Sequence, residues 1–213
     1  MRLYGFWRSS ATWRVRIALN LKGIGYEYVP IHLSRSGGEQ HNAAFRNLNP
    51  MKHVPVLTLD RDGKTHQIAE SLAIIELLEE LWPEPALLPK EPFTRARARQ
   101  IAQLVSAGIQ PLLNTKVQSY LRDPMQADAD AWTRHWLASG LNALEELTRE
   151  TAGKFAVGDE LSIADLCIVP QLYAARRFHV SLDAMPTLLA IEQRCAALEA
   201  FQRAEPHAQP DAD

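Results

Sequence analysis

Val54-Pro55-Val56-Leu57-Thr58-Leu59 followed by Asp60-Arg61-Asp62-Gly63 decides how the N-terminal part of the chain is read. The first six residues are a mostly apolar run with β-branched Val54, Val56 and Thr58, which suits a pleated strand, and the next four supply a turn. Downstream, Lys64 to Ile68 predicts another strand, and Ser71, Ile74, Ile75, Leu78 and Leu81 keep the helical period. Upstream, Arg2 to Trp7 predicts a strand and Ala11 to Lys22 a helix with Trp13, Ile17 and Leu21 on one face. Gly23 stands where a glycine ends a helix, and Tyr26 to Ile31 predicts a second strand. Glu39 to Leu48 is polar and weakly helical. The order β-α-β, link, β-β-α predicts a small α/β domain over residues 1–82, with helices on a mixed sheet.

Pro83, Pro85, Pro89 and Pro92 interrupt any helix, so residues 83–92 read as a linker. Beyond it the pattern is all helical to residue 213. Ile101, Leu104, Val105, Ile109 and Leu112 predict one stripe, kinked at Pro111; Trp132, Trp136, Ala143, Leu144 and Leu147 predict another. Ser162 to Phe178 and Pro186 to Leu198 complete the set, with Ser162 and Asp165 spaced as a capping box and Pro186 as a first-turn proline. The polar ending, Ala204 to Asp213, predicts a flexible tail.

Composition narrows the function classes. A formal net charge of −2 over 213 residues lacks the basic excess of a polyanion binder, so no nucleic-acid partner is expected. Arg95, Arg97 and Arg99 are spaced every second residue and wrap around a helix instead of forming a stripe. No stretch approaches about 18 uninterrupted apolar residues and no secretory signal opens the chain, so no membrane partner and a cytoplasmic location are expected. Two cysteines make neither a disulfide framework nor a zinc site, and seven scattered histidines contain no metal-binding pair.

Three places can carry chemistry. Arg8-Ser9-Ser10-Ala11-Thr12-Trp13-Arg14 lies between a strand and a helix, where unpaired N–H groups and a hydroxyl favour an anion such as a thiolate. A thiol of pKa about 8.5 drops by two units for about 2.7 kcal/mol of differential stabilisation. Glu70-Ser71 precedes a strongly periodic helix and suits a ligand bearing both a carboxylate and an ammonium group. Val54-Pro55 opens a strand; a cis bond there would turn the Val54 peptide groups toward an extended peptide. Each has a plainer reading, as a helix cap for the two serine sites and as an edge strand for the proline. Cys167 sits in an apolar run and reads as a small buried hydrophobe. Arg176-Arg177 reads as a solvated helix end.

Taken together, these segments resemble the glutathione transferases, and the zeta class in particular. The likeness is carried by Arg8 through Leu19, Leu48-Asn49-Pro50-Met51-Lys52-His53-Val54-Pro55, Glu70 through Glu76 and Ala164-Asp165-Leu166-Cys167. It extends to Gly108-Ile109-Gln110-Pro111, Arg177-Phe178 and Ala208-Gln209-Pro210-Asp211, and so spans essentially the whole chain.

The resemblance implies a thioredoxin-like N-terminal domain that binds glutathione and an all-α C-terminal domain that builds the substrate site. It implies that Ser9 and Ser10 meet the glutathione sulfur and that Val54 pairs with the cysteinyl backbone. Glu70 and Ser71 would hold the γ-glutamyl end, Gln40 and His53 would lie near the glycyl end, and Gln110 and Asn114 would face the same cleft. Arg8 and Arg177 match positions that bind substrate carboxylates, and Asp165 would be a structural cap. The implied reaction is cis–trans isomerisation of a dicarboxylate-type diketo acid, such as maleylacetoacetate or the shorter maleylpyruvate, by reversible thiolate addition. A homodimer is also implied. Ala11 departs from the eukaryotic zeta pattern, which has cysteine there, and this excludes a protein thiol at that point. A non-catalytic interaction protein on the same fold is the alternative of a different class.

Overall fold

The structure is a computed structural model and describes residues 1–212. Strand β1 (Arg2–Gly5) pairs in parallel with β2 (Glu27–Pro30) and antiparallel with β3 (Val56–Arg61). Strand β3 in turn pairs antiparallel with β4 (Lys64–Ala69), giving the sheet order β2-β1-β3-β4. Helix α1 (Ser10–Leu21) joins β1 to β2, and α3 (Ser71–Leu81) follows β4. The link carries 3-10 turns at Arg35–Gly37 and Glu39–His41 before the short α2 (Ala43–Leu48). The mixed sheet expected from the pattern is therefore present, with strand limits shifted for local reasons.

Strand β1 stops at Gly5, short of the expected Trp7, where α1 comes close: a Cβ at Gly5 would stand 2.3 Å from Thr12 Cγ2. In the hairpin, Asp60 and Arg61 remain in the strand and the reversal falls to Asp62 and Gly63, with φ of 53° and 72°. Two successive left-handed residues match the right-handed twist of the flanking strands. Helix α1 is buried on all sides from Thr12 to Leu19, so the expected single apolar face is only part of its buried surface and Leu21 is half-buried. It is covered by α3 and by α9 (Glu199–Ala204).

The chain packs as two units, residues 1–86 with 198–212, and residues 87–197. This departs from the expected division at 82 and 93 in two ways. The second half of the proline seam belongs to the helical unit: Leu87 is buried and its carbonyl accepts from Ile163 N, and Pro92 opens α4 (Pro92–Gln103) in place of ending a linker. The ending also returns to the first unit. Expected to be a flexible tail from Ala204, it instead continues from the last residue of α9 (Glu199–Ala204) into a 3-10 turn at Pro206–Ala208, with Ala204 and Pro206 buried.

Within the helical unit, α4 runs into a π-helical turn at Leu104–Ile109, then a 3-10 turn at Gln110–Leu113. The expected single kinked helix is thus broken into three geometries, with Ile101, Val105 and Ile109 kept on the buried side. Asn114 then caps α5 (Thr115–Arg122). In α6 (Ala129–Arg149) the buried side includes Thr133, Leu137, Leu141, Leu144 and Thr148; of the expected stripe Leu144 lies on it, while Trp132, Trp136, Ala143 and Leu147 sit one position out of phase. Trp132 and Trp136 stack edge to face on the wetter side instead. Helix α7 (Ile163–Arg177) is buried for most of its length and starts with the expected capping box of Ser162 and Asp165. Helix α8 (Pro186–Ala196) begins at Pro186, and its first-turn N–H groups on Thr187 and Leu188 donate to the Glu145 carboxylate of α6, 3.0 Å each. No helix among the described residues is long and apolar enough to cross a membrane.

Candidate functional site

Strand register brings three chain segments to one end of the sheet. Tyr4 in β1 lies opposite Val56 in β3, and Val56 lies opposite Ala69 in β4. The end of β1, the start of β3 and the end of β4 therefore coincide. From that end leave the turn carrying Arg8, Ser9 and Ser10, the Val54–Pro55 dipeptide, and Glu70-Ser71.

The first segment is a tight turn, closed by Ser9 N donating to Phe6 O at 3.0 Å. Ser9 is the N-cap of α1, and its Oγ accepts from Thr12 N at 3.2 Å. The capping reading is therefore correct, and it does not exclude the other. An oxygen that accepts a hydrogen bond keeps its own O–H proton, so Ser9 can still donate to an anion placed at the helix start. Ser10 and Ala11 occupy the first turn and are half-buried, and Arg8 is exposed with its guanidinium 5.1 Å from the Trp7 ring centroid.

Ser71 is not a cap: it is the first residue of α3, and the cap position is Glu70. The Ser71 Oγ is buried and accepts from Arg14 Nη1 at 3.3 Å, which again leaves the hydroxyl proton to give. Glu70, the residue before it, holds φ at 68°, a left-handed value that costs a non-glycine residue of order 1–3 kcal/mol. Its side chain takes no part in capping. The helix start is thus left without an acidic cap, and a helix N-terminus of this kind favours a carboxylate.

The Val54–Pro55 bond is cis, and Val54 is buried beside Phe6, Trp7, Phe45 and Val56. Pro55 precedes a central strand, so the edge-strand reading of this proline is set aside. His53 is half-buried, and its carbonyl accepts from Asn49 Nδ2 at 2.9 Å. Gln40 lies in the second 3-10 turn, where its Nε2 donates to Leu33 O at 3.2 Å. Its Oε1 is buried with no donor among the described residues, and a ligand N–H would satisfy it.

The remaining candidates belong to the helical unit. Gln110 opens the 3-10 turn after the π-helical segment. Asn114 uses its Oδ1 to accept from Lys116 N at 2.9 Å, as the cap of α5. Arg177 ends α7, with its guanidinium 4.4 Å from the Phe178 ring centroid. Its neighbour Arg176 makes a two-pronged ion pair with Glu192, as a plain helix-end charge would. Neither cysteine offers a nucleophile: Cys167 and Cys195 are buried, and burial pushes the Cys195 thiol well above its ordinary range.

Two residues to which the sequence reading gave no role also bear on this end of the sheet. Arg14 and Arg16 are fully buried in α1. Arg14 supports Ser71, and Arg16 Nη2 donates to Trp7 O at 2.9 Å. The signal was present in Trp13-Arg14-Val15-Arg16-Ile17, where charges interrupt a run that is otherwise apolar.

Comparison with known proteins gives the arrangement a lineage. Residues 3–86 match the glutathione S-transferase N-terminal domain. The chain is 50% identical to maleylacetoacetate isomerase of Mus musculus, covering 98% of this chain and 94% of that protein. Among solved structures, maleylacetoacetate isomerase from Anaeromyxobacter dehalogenans 2CP-1, with GSH bound in its active site, has a TM-score of 0.92 and 48% identity, covering 100% of this chain and 97% of that one. The holo structure of maleyl pyruvate isomerase, a bacterial glutathione S-transferase of the zeta class, has a TM-score of 0.92 and 42% identity, with both chains fully covered at 100%. The fold is that of a glutathione transferase, and the chain belongs to the zeta class of that family, with the maleylacetoacetate and maleylpyruvate isomerases.

Proposed function

We propose that the chain is a glutathione-dependent cis–trans isomerase that converts maleylacetoacetate to fumarylacetoacetate, working as a cytoplasmic homodimer. The observation that carries this reading is the pair of serines at one end of the sheet. Ser9 and Ser71 each accept a hydrogen bond from the protein, so each hydroxyl has a proton to offer outward.

The donor set fits glutathione. Ser9 and Ser10 would meet its sulfur, the Val54 peptide group its cysteinyl backbone, and Ser71 with the start of α3 its γ-glutamyl carboxylate. Glu70 would face the ammonium group, and Gln40, with an idle buried Oε1, would take a peptide N–H near the glycyl end, with His53 close by. Gln110 would complete the binding set from the helical unit.

When bound, glutathione supplies the sulfur nucleophile that adds reversibly to the cis double bond and so frees it to rotate. The chain's own residues do the rest. The Ser9 O–H and the helix start hold negative charge on the sulfur; about 2.7 kcal/mol of preference for the anion moves a thiol two units, within the range of a helix terminus and one or two hydrogen bonds. Arg8 and Arg177, as planar forks, hold the substrate carboxylates and stabilise charge developing on the conjugated carbonyl. Gln110 and Asn114 orient the substrate.

Ala11 gives a second reading its support. A site with no protein thiol beside Ser9 and Ser10 leaves the sulfur to glutathione and suits the shorter maleylpyruvate equally.

The test is to assay the purified protein on both diketo acids with and without glutathione. Conversion that needs glutathione is expected, and the larger kcat/KM identifies the substrate. Full-speed conversion without the tripeptide would overturn the proposal. Arg177→Ala should raise the KM for the diketo acid while leaving glutathione affinity in place; equal loss of both would remove Arg177 from substrate binding. Sedimentation equilibrium should return twice the chain mass.

A further inference from the structure

The ending Ala208-Gln209-Pro210-Asp211 has no part in the proposed reaction, yet it lies against the turn that presents Ser9. Asp211 Oδ2 accepts from Trp7 N at 3.0 Å and from Tyr28 OH at 3.2 Å. On the other side of the same residue, Trp7 O accepts from Arg16 Nη2 at 2.9 Å. Arg16 also grips the tail directly, since its Nε and Nη2 donate to Ala204 O at 3.0 and 2.9 Å. The Trp7 ring lies 5.5 Å from the ring of His207, and Ala212 packs against the cluster that contains Phe6, Trp7 and Val54.

Trp7 is the second residue of the Phe6–Ser9 turn, so both of its peptide groups are fixed from outside the turn. That restraint sets the positions of Arg8 and Ser9. Ser9 N closes the turn on Phe6 O, Ser9 Oγ caps α1, and the Arg8 guanidinium rests over the Trp7 ring. A residue held at both its N–H and its carbonyl cannot turn its peptide planes, and such turning is what would swing Ser9 away from the helix axis. Trp7 and Asp211 are 204 residues apart in sequence. The restraint therefore exists only in the folded chain.

We infer that the C-terminal segment is a positioning element for the sulfur-binding turn, with Asp211 acting through the Trp7 peptide on Arg8 and Ser9. Asp211 is a positioning residue; it touches neither glutathione nor substrate. The inference rests on the glutathione-binding reading for its effect on ligand, but not for its effect on the turn.

The test uses the full-length protein and the variants Asp211→Ala, Asp211→Asn and Tyr28→Phe. Without glutathione, exchange of the Trp7 amide hydrogen should speed up on the order of tenfold in Asp211→Ala, the worth of one hydrogen bond to a charged acceptor. With glutathione, calorimetry should show weaker binding by a similar factor, and the thiolate absorbance of the bound tripeptide should titrate at higher pH. The kcat at saturating glutathione, above that shifted midpoint, should return close to the parent value. Asp211→Asn keeps an oxygen for the Trp7 N–H and should restore most of the binding. A merely structural tail predicts something different: a lower melting temperature with unchanged glutathione affinity and thiol titration, and that result would overturn the inference. If Asp211→Ala does not fold, Tyr28→Phe, which takes away one of the two donors to the carboxylate, should shift binding and titration in the same direction by a smaller factor. No shift in that folded variant would overturn the inference too. Absence of glutathione binding by the parent protein would instead count against the isomerase reading, and the amide-exchange comparison would still judge the tail.

Discussion

Arg14, fully buried in α1, reaches the first residue of α3, where its Nη1 donates to Ser71 Oγ across 3.3 Å. The bond ties the second turn of α1 to the start of α3, 57 residues on in the chain, and leaves the Ser71 hydroxyl proton free to be donated. Arg14→Met keeps the length and removes the donors. It should lower stability by about 1–3 kcal/mol in urea denaturation, and raise the KM for glutathione with kcat held. A proportional fall in kcat would place Arg14 in folding alone.

Ser9 has two roles that one substitution separates. As the N-cap of α1 it contributes about 1 kcal/mol of stability, which Ser9→Ala should remove. As a donor to sulfur it should lower the pKa of bound glutathione, so the same variant should titrate at higher pH by thiolate absorbance. An unchanged titration with the stability loss present would leave only the cap.

Asp165 predicts a pH effect on stability. Its carboxylate accepts from Ala156 N, Ser162 N and Ser162 Oγ, but burial outweighs these bonds and pushes its pKa up to about 6. Unfolded, the same carboxyl ionises near 4, as a rough reference value. Between those values the native state keeps a proton that the unfolded state releases. This group's contribution is therefore fully present below pH of about 4 and is lost as pH rises through about 6. The stability of the parent protein relative to Asp165→Asn should fall as pH rises from about 4 to about 6 and stay level above that. A constant difference across that range would contradict the assignment.

Gly140 lets α6 approach the π-helical turn. A Cβ there would stand 2.5 Å from Ile109 Cγ1 and 2.7 Å from its Cδ1. Ile109 is fully buried and has little room to move. Gly140→Ala should therefore destabilise by about 1–3 kcal/mol through overpacking, despite the better helix propensity of alanine. A gain in melting temperature would mean that the turn yields.

Much of the fold was legible because its signals are short-range. Asp62-Gly63 fixes a hairpin with two left-handed residues, Ser162 and Asp165 cap α7 within a single turn, and Pro186 starts α8. The serine, proline and glutamate segments of the candidate site were legible too, since each sits at an element boundary marked by its own residues. Their placement at one end of a sheet depended on strand order. The phase of α6 was misread because Trp132 and Trp136 are large and apolar, while Thr133 is buried by donating its hydroxyl to Ala129 O. Hydrophobicity alone does not register a polar group that satisfies itself.

By itself the sequence determined the order of strands and helices, their caps and turns, and the residue types available for binding a thiol tripeptide. Those depend on neighbours a few positions away, where propensity and period act. Only the tertiary structure decided that Arg14 and Arg16 are buried and that the ending folds back to hold Trp7. Such outcomes turn on contacts between residues far apart in the chain, whose partners supply the hydrogen bonds that make a buried charge tolerable.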